Sequence, residues 1–395
     1  MIGLLPFFIP VILWESGASL AKISGFISLT GAGFIITLWY WDGLRENNQW
    51  TKIIALSFIA ELLLIGLLAW QPSSLSIFGL ALLNGAYNCF YWSTQRAMFN
   101  HISSAKTTGN RFGNFQIIVV ISLKVGILAG GYLLETIGIT AITAIAALSV
   151  LTSSIGFYLL TKGNTASPHN KQADRTTNHI NNIEEPALGF TAILAFKDQN
   201  KSKTIFLLDG PFLYLESYFW VLSIYLLTHQ SLFTLGFIVV ALTLILSVVF
   251  FLIKTKIDNA HQPTIFIIGA VAYAASWLLR GTIDSQSEEL VLYSTLLIIG
   301  FFSTFFRLVF NKRFYDIAKQ QNTYQYLICK SYYSQFGIFI FFGVLALVFY
   351  NQETVKTGLA YTYLWAAPLA LGYSLYLFAS RNKFHKYFRT SGKTL

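Results

Sequence analysis

Charged side chains lie inside several long apolar runs of this sequence. Asp209 and Glu216 occur in "FLLDGPFLYLESYFW", and Lys124 occurs in "ISLKVGILAGG". A charge at the centre of a bilayer costs about 2.5–3.5 kcal/mol on insertion scales, so such residues usually face a cavity or a partner and are functional candidates. A carboxylate in this position can take up a proton or pair with a ligand. The other charged candidates in or beside apolar runs are Glu61, Arg307 and Lys330.

Asp209 and Glu216 project from nearly the same face of a helix, because they are seven residues apart. Gly210 and Pro211 lie between them. Proline removes a backbone donor and kinks a helix, and membrane carriers place such breaks at binding sites. A buried carboxylate there exchanges protons closer to neutral pH than an exposed one. The alternative is structural: Asp209 anchors one end of the helix, and Glu216 pairs with a neighbouring charge.

The fourth apolar run carries a polar stripe in "NGAYNCFYWSTQR". Asn84 and Asn88 share a helical face, and Trp92 and Gln95 continue it. An aromatic ring beside amides suits a ligand of mixed polarity. Amides in such a position also serve to hydrogen-bond one membrane helix to another. The sequence leaves these two roles open.

Lys124 has no acidic residue at helical spacing on its own span, so a counter-ion must come from another span. A pair with Glu61 would be structural and would fix one half of the molecule. A pair with Glu216 would cross a central cavity and could break as the protein works. The third alternative is that the lysine side chain extends to the membrane surface.

The composition is that of a polytopic, all-α membrane protein. The chain has 395 residues, of which 55% are hydrophobic and 11% are charged, whereas a soluble chain carries roughly 25% charged residues. Apolar runs recur that are long enough to cross a hydrocarbon core of about 30 Å. The twelve predicted spans cover residues 1–15, 22–41, 53–70, 74–95, 115–135, 138–161, 204–227, 231–254, 264–282, 288–310, 324–350 and 357–380.

Composition and motifs also argue against other classes of protein. The net charge of +10 is explained by basic cytoplasmic loops, so nucleic acid is not expected as a partner. The six histidines fall in loops, at span ends or in the tail, and no P-loop is present. We therefore expect no catalytic residues, no metal site, no cofactor and no enzymatic activity.

Polar stretches divide the chain into four segments. We predict a bundle of six spans over residues 1–162, a cytoplasmic central loop over 163–203, a second bundle over 204–381 and a basic tail over 382–395. The first part of the loop is too polar to order itself. Its second part, "ALGFTAILAFKDQNKSK", predicts a short amphipathic helix on the membrane surface.

Basic residues predict the orientation of the chain. Lys and Arg cluster in the loops that follow even-numbered spans and in the tail, whereas the opposite side has only Lys22, Arg280 and Lys356. Both termini are therefore expected in the cytoplasm. The first span is short, since the 14 residues before Glu15 give only about 21 Å of helix at 1.5 Å per residue.

Two halves of six spans joined by a long polar loop resemble the major facilitator superfamily of secondary transporters. "WYWDGLRENNQWTKI" lies where that family has its signature loop, and it supplies Asp42, Gly43 and Arg45. "LIKTKIDNAHQPTIFIIGA" is a weaker copy in the second half, with Lys256 and Asp258. "VGILAGGYLLETIG" is similar to the glycine-rich fifth span of the family.

The resemblance implies two pseudo-symmetric six-helix bundles that move a small solute across the bacterial inner membrane by alternating access. Protons or another ion would be the coupling partner, and the lipid bilayer is the other partner. The family's cavity helices would place Glu216 near mid-membrane and Asp209 nearer the cytoplasmic mouth. Substrate or coupling candidates are Glu216, Asp209, Lys124, Asn84, Asn88, Trp92, Gln95, Arg307 and Lys330. Structural or gating candidates are Glu61, Asp42, Arg45, Lys256 and Asp258. The alternative function is a non-transporting membrane partner or sensor with the same fold.

Overall fold

The computed structural model describes residues 5–70, 76–103, 109–165, 186–198, 200–259, 261–283, 288–351 and 354–377. Every regular element in these ranges is a helix. Long apolar runs fold in this way in a bilayer because a helix satisfies its own backbone hydrogen bonds where no water can reach. The predicted all-α membrane architecture is confirmed for the described chain.

The first half of the described chain contains helices α1 to α6. Their bounds are α1 Ile9–Glu15, preceded by a 3₁₀ turn at Pro6–Phe8, α2 Leu20–Glu46, α3 Trp50–Ala69, α4 Ser76–Ser103, α5 Gly109–Thr136 and α6 Ile139–Thr165. The segment Pro6–Glu15 is about 16 Å long at ordinary helical rises. Residues 1–4 lie outside the described residues, so the short first span stays a prediction.

The second half contains helices α7 to α13. Their bounds are α7 Phe190–Ala195, α8 Ser202–Leu227, α9 Leu232–Asn259, α10 Gln262–Thr282, α11 Glu289–Ala318, α12 Thr323–Val348 and α13 Val355–Ala370, which continues as a 3₁₀ turn at Leu371–Ser374. Apart from α7, each described helix coincides with one of the predicted spans. Eight of the described helices are long and apolar enough by themselves to cross a membrane.

The helix contacts repeat between the two halves with an offset of six spans. In the first half α4 packs against α2 and α3, and α6 packs against α3. In the second half α11 packs against α9 and α10, and α13 packs against α10. This repetition supports two pseudo-symmetric bundles. The exact segment boundaries at residues 162 and 203 stay predictions.

In the described chain two pairs of helices make the most extensive contacts between the halves. In the first pair, α2 packs against α12, and the Ser28 hydroxyl donates to the carbonyl oxygen of Phe339 at 2.7 Å. In the second pair, α5 packs against α9. The Glu135 carboxylate accepts from the Ser231 hydroxyl at 2.9 Å and from the Phe233 amide at 2.7 Å. A carboxylate is favoured there because the first turn of a helix presents unpaired amides and a positive dipole end.

Glycines let two helix pairs approach backbone to backbone. A Cβ atom on Gly85 of α4 would collide with the carbonyl of Thr30 on α2, and one on Gly33 would collide with Leu82. On α8, a Cβ atom on Gly210 would collide with the backbone of Ser334 on α12. Small residues serve this purpose in membrane helices because close packing, not water exclusion, drives their association.

Gly85→Ala is expected to lower the free energy of unfolding by about 1–3 kcal/mol, because the added methyl overpacks the α2–α4 contact. Gly79→Ala is the matched control on the same helix, since nothing lies within 4 Å of a Cβ there. Thermal unfolding of the detergent-solubilised protein measures both. Equal melting temperatures for the two variants would contradict the close α2–α4 packing.

Helix α8 is interrupted in the middle of its span. Residues Leu215–Phe219 form a π turn, in which the Trp220 amide donates to the carbonyl oxygen of Leu215, five residues earlier. Pro211 lies one turn before it within the helix. Single π turns are rare and occur often at functional sites. The predicted irregularity in this span is therefore present. It includes the π turn at Leu215–Phe219 in addition to Pro211.

The short helix α7 packs against the helices of the second half. Its Ile193 is buried, and the Tyr333 hydroxyl of α12 donates to the Ile193 carbonyl at 2.8 Å. Phe196, just after α7, stacks on Phe206 of α8 with ring centroids 6.4 Å apart. The other side of the helix is exposed at Phe190. The segment thus has the predicted amphipathic helix, but its buried face is covered by α8 and α12.

Candidate functional site

Arg307 of α11 is shared between two carboxylates of α8. Its Nη1 donates to Asp209 Oδ1 at 2.6 Å, while Nε and Nη2 both donate to Glu216 Oε2, at 3.2 and 3.1 Å. Nη2 also donates to the Tyr273 hydroxyl at 3.1 Å. Asp209 and Glu216 reach the same guanidinium because they project from one face of α8, as their spacing predicts.

Asp209 has two further partners. The Lys330 ammonium of α12 lies 3.2 Å from Asp209 Oδ2, and the Tyr373 hydroxyl donates to Oδ1 at 2.9 Å. Lys330 also lies over the ring of Phe314, 4.5 Å from its centroid. The site therefore joins two carboxylates and two cations from three helices, with zero net charge. We call Asp209, Glu216, Arg307 and Lys330 the charge cluster.

The two carboxylates of the charge cluster differ in access. The side chain of Asp209 is 1% exposed, whereas that of Glu216 is 21% exposed and that of Arg307 is 18% exposed. Glu216 Oε1 is itself buried and has no hydrogen-bond partner in the described chain. Glu216 is thus the more exposed carboxylate of the two, and Asp209 is the more enclosed one, with more partners. Among the described residues no group of three potential ligands could hold a metal ion.

The exposed face of α8 that carries Glu216 points into the molecule. On the opposite face, Pro211 and Leu215 line an apolar groove of about 590 Å³ with α12 and α13, which is suited to lipid. Leu213, Glu216 and Ser217 are partly or fully exposed on the other side of the helix. A carboxylate and a hydroxyl in a membrane span face protein or a water-filled cavity. The charge cluster therefore borders the interior between the bundles.

The amides of α4 form hydrogen bonds between helices. Asn84 Nδ2 donates to the Tyr218 hydroxyl of α8 at 2.9 Å and lies 3.3 Å from the Thr30 hydroxyl of α2. Asn88 Nδ2 donates to Asn84 Oδ1 at 3.2 Å. Asn84 is buried, so the helix-packing role is realised there. The bond to Tyr218 also connects the two halves, two residues from Glu216.

The other two residues of that stripe remain more open. Trp92 is 37% exposed and packs edge-on against Tyr91, with ring centroids 5.0 Å apart. Gln95 is half-buried. No hydrogen bond in the described chain connects either residue to the charge cluster, so their role as ligand contacts stays a prediction.

The predicted partners of Lys124 are occupied elsewhere. In the described chain Lys124 is half-buried and forms no ion pair with Glu61 or Glu216. Glu216 is held by Arg307, and buried Glu61 accepts from the Tyr87 hydroxyl at 3.5 Å. The expected pairing of Lys124 is therefore wrong, because each carboxylate lies within a different set of helices that already supplies a donor.

Asp42 and Arg45 connect α2 to α12 at the end predicted to be cytoplasmic. Arg45 Nε donates to Asp42 Oδ1 at 2.9 Å, and Asp42 also accepts from the Tyr324 hydroxyl and, at 3.0 Å, from the Leu188 amide. The Arg45 guanidinium lies 4.2 Å from the centroid of the Tyr324 ring. This arrangement suits a gate between the halves. Lys256 and Asp258 belong to α9, and their side chains lie outside the described residues.

Sequence reasoning missed several members of the site. Tyr273, Tyr218 and Tyr373 hydrogen-bond the predicted residues, but tyrosine is too common in this chain, at 21 residues, to mark them. Arg280 was assigned only to the outer side of the membrane, and the structure adds that it lies in α10 with 4% of its surface exposed. Ser276, one turn earlier, is the signal that could have placed it, since it accepts from Arg280 Nη1 at 2.8 Å.

Solved structures of the nucleoside transporter NupG share this architecture. A NupG variant aligns with a TM-score of 0.65 at 13% sequence identity, covering 96% of this chain and 96% of that chain. A second NupG structure gives 0.61 at 15% identity and covers 95% of each chain. No family model and no curated protein matches the sequence. A likeness at this identity shows the fold alone, and the chain accordingly has the multi-pass, all-helical membrane-protein fold of these NupG structures.

Proposed function

We propose that this chain is a secondary active transporter that moves a small polar solute across the bacterial inner membrane by alternating access, driven by protons. The charge cluster carries the proposal, because Arg307 is shared between a buried carboxylate and an accessible one. A single proton on one carboxylate would change the net charge of the cluster from zero to +1 and weaken the ion pair of that carboxylate. The fold is that of carriers, in which two bundles rock about a site near mid-membrane.

Glu216 is the proposed proton acceptor. A proton on Glu216 would remove the charge that strengthens its two bonds from Arg307, since hydrogen bonds to an ionised group are roughly twice as strong as neutral ones. Arg307 would then be held by Asp209 and Tyr273 alone. Because Arg307 is on α11 and Glu216 is on α8, protonation would loosen these two helices relative to each other.

The contacts at the two ends of the molecule are the proposed gates. At the inner end, Asp42 joins α2 to the Tyr324 hydroxyl of α12. At the outer end, Glu135 joins α5 to α9, and the Tyr225 hydroxyl of α8 donates to the Glu15 carboxylate at 2.5 Å. Alternating access requires the contacts at one end to break while the contacts at the other end remain formed. A proton or a solute would open one gate by as much as its interaction free energy differs between the two states.

Transport assays in proteoliposomes test the function. The solute panel begins with nucleosides, because the structural neighbours are described as nucleoside transporters, and it continues with small sugars, amino acids and organic acids. We expect uptake that depends on an inward proton gradient and stops with a protonophore. Solute binding by thermal shift without uptake of any bound solute would contradict transport and favour the sensor function.

The orientation of the chain is proposed from its basic loops. A reporter fused after Leu395 should read as cytoplasmic, because Lys and Arg concentrate in loops on that side. A truncated fusion after Gln230, in the turn between α8 and α9, is the matched control and should read as periplasmic. Alkaline phosphatase activity at Leu395, together with fluorescence of a cytoplasmic reporter at Gln230, would show that the chain has the opposite orientation.

A further inference from the structure

Arg280 is a buried cation without a carboxylate partner in the described chain. Its Nη1 donates to the Ser276 hydroxyl at 2.8 Å and its Nη2 to the Ser303 hydroxyl at 2.9 Å. Its Nε is buried and has no acceptor. Two hydroxyl groups satisfy hydrogen bonds but supply no negative charge, and a buried guanidinium that is not neutralised is costly. Glu216 attracts Arg280 only from beyond ion-pair distance, so no described anion is in direct contact with the guanidinium.

Two indole rings enclose the Arg280 guanidinium. Its Cζ lies 4.2 Å from the ring centroid of Trp277 and 4.9 Å from that of Trp220. Cation–π contact of this kind stabilises a cation without neutralising it. The Nε1 group of Trp277 is also buried and without an acceptor. Two N–H donors one turn apart on α10 thus lack an acceptor.

A cavity reaches Arg280 from the end of the molecule predicted to face outward. It has a volume of about 640 Å³ and lies between the ends of α1, α8 and α10 and the start of α13. Arg280 and Lys356 are among the described residues that line it, as are the Ser223 and Tyr363 hydroxyls, and the lining contains no acidic residue. This volume is typical of sites for small molecules.

The interior of the described helices carries more cations than carboxylates. Within the predicted spans Lys124, Arg280, Arg307 and Lys330 are buried or half-buried, against Glu61, Asp209 and Glu216. That is four cations against three carboxylates, and once the charge cluster is set aside, Arg280 and Lys124 stand against Glu61 alone. A positive interior favours a negatively charged ligand.

We infer that the cavity at Arg280 binds the anionic group, a carboxylate or a phosphate, of a small solute. A carboxylate fits the planar fork of the Arg280 guanidinium, and Lys356 and the Ser223 and Tyr363 hydroxyls of the same lining add a positive charge and further donors. The inference rests on the proposed function in one respect. If the chain is a transporter, the anion bound at Arg280 belongs to the transported solute, which is recognised at the outer end of the protein.

Binding by the purified protein in neutral detergent tests this assignment. Benzoate, benzamide and inorganic phosphate are added to the wild-type chain, and the melting temperature is followed as a function of concentration. Benzoate or phosphate should raise it, and benzamide, which has the same shape without the charge, should not. Arg280→Gln should weaken binding at least tenfold, whereas Lys22→Gln, an exposed basic residue on the same side, should leave it unchanged.

A second variant covers the case in which Arg280→Gln does not fold. Arg280→Lys keeps the charge and loses the fork, so it should retain benzoate binding with weaker affinity. Equal stabilisation by benzoate and benzamide, or unchanged benzoate binding in Arg280→Lys and Arg280→Gln, would overturn the site. Stabilisation in nanodiscs of phosphatidylglycerol relative to phosphatidylcholine, with no response to either soluble anion, would assign the cavity to lipid headgroups and overturn the solute assignment.

Anion binding and solute uptake, measured together, distinguish a failure of the anion site from a failure of the proposed function. Anion binding at Arg280 without uptake in proteoliposomes would contradict the transporter and leave the anion site standing. Proton-driven uptake of neutral solutes, with no response to either anion, would support the transporter and overturn the anion site alone.

Discussion

Arg307→Leu is expected to destabilise the protein by about 3–5 kcal/mol, the usual result of removing one partner from a buried ion pair. The change takes away all the bonds that Arg307 makes to Glu216 and its bond to Asp209. Asp209 keeps Lys330 and Tyr373, so the cost arises chiefly at Glu216. Thermal unfolding of the purified variant and its yield after extraction measure the loss.

A double variant shows whether the loss is electrostatic. Arg307→Leu combined with Glu216→Leu leaves one carboxylate, Asp209, opposite one cation, Lys330, so much of the stability should return. Arg307→Lys should fall between the wild type and Arg307→Leu, because it keeps the charge but cannot bond both carboxylates with a fork. A single Arg307→Leu variant as stable as the wild type would show that the charge cluster contributes nothing to folding.

Glu216→Gln is expected to fold normally and to lose proton-driven accumulation of solute by roughly 10²-fold or more, a loss typical of removing a proton-transfer group. Glutamine can still accept from Arg307 but cannot take up a proton. Exchange of solute across the membrane without a gradient should persist, because it needs no net proton movement. Uptake and exchange in proteoliposomes measure the two activities separately.

Glu61→Gln is the matched control for Glu216→Gln. Glu61 is also a buried carboxylate in a span, but it lies in α3 and accepts only from Tyr87 among the bonds described here. Its replacement should leave proton-driven accumulation within about twofold of the wild type, a change of under 0.5 kcal/mol. If Glu61→Gln abolishes accumulation and Glu216→Gln does not, the proton site has been placed in the wrong half.

Local periodicity made the spans and the shared face of Asp209 and Glu216 predictable. Both depend on spacing along one helix, and spacing is visible in the sequence. The meeting of Asp209 with Arg307 and Lys330 was not predictable, because it depends on how α8, α11 and α12 pack. Each residue could be recognised as a candidate from its cost in a membrane, but no pattern in one sequence says which candidates meet.

The wrong pairing of Lys124 and the unforeseen burial of Arg280 have different physical causes. For Lys124, the cost of a buried charge indicates that compensation is needed but does not identify the partner. For Arg280, a position near the end of an apolar run does not show whether the side chain points to the surface or to the interior. A helical side chain points back toward the N-terminus of its helix. At the outer end of α10, this direction leads from the surface to Ser276 and the membrane interior.

The π turn at Leu215–Phe219 makes α8 sensitive to its own length. A helix advances about 100° per residue, so one residue held in a π turn rotates everything that follows it. This rotation lets Glu216 meet Arg307 while Ser223, farther along, donates to or accepts from Tyr363 at 2.6 Å. The π turn absorbs one extra residue, so a regular helix of the same residues would turn Ser223 and the rest of the outer half about 100° away from their partners. Loss of a single codon between 215 and 219 would remove the extra residue and leave the outer half facing as it does, whereas a further insertion would turn it away. During evolution, this short stretch should therefore tolerate the loss of one residue far better than the gain of one.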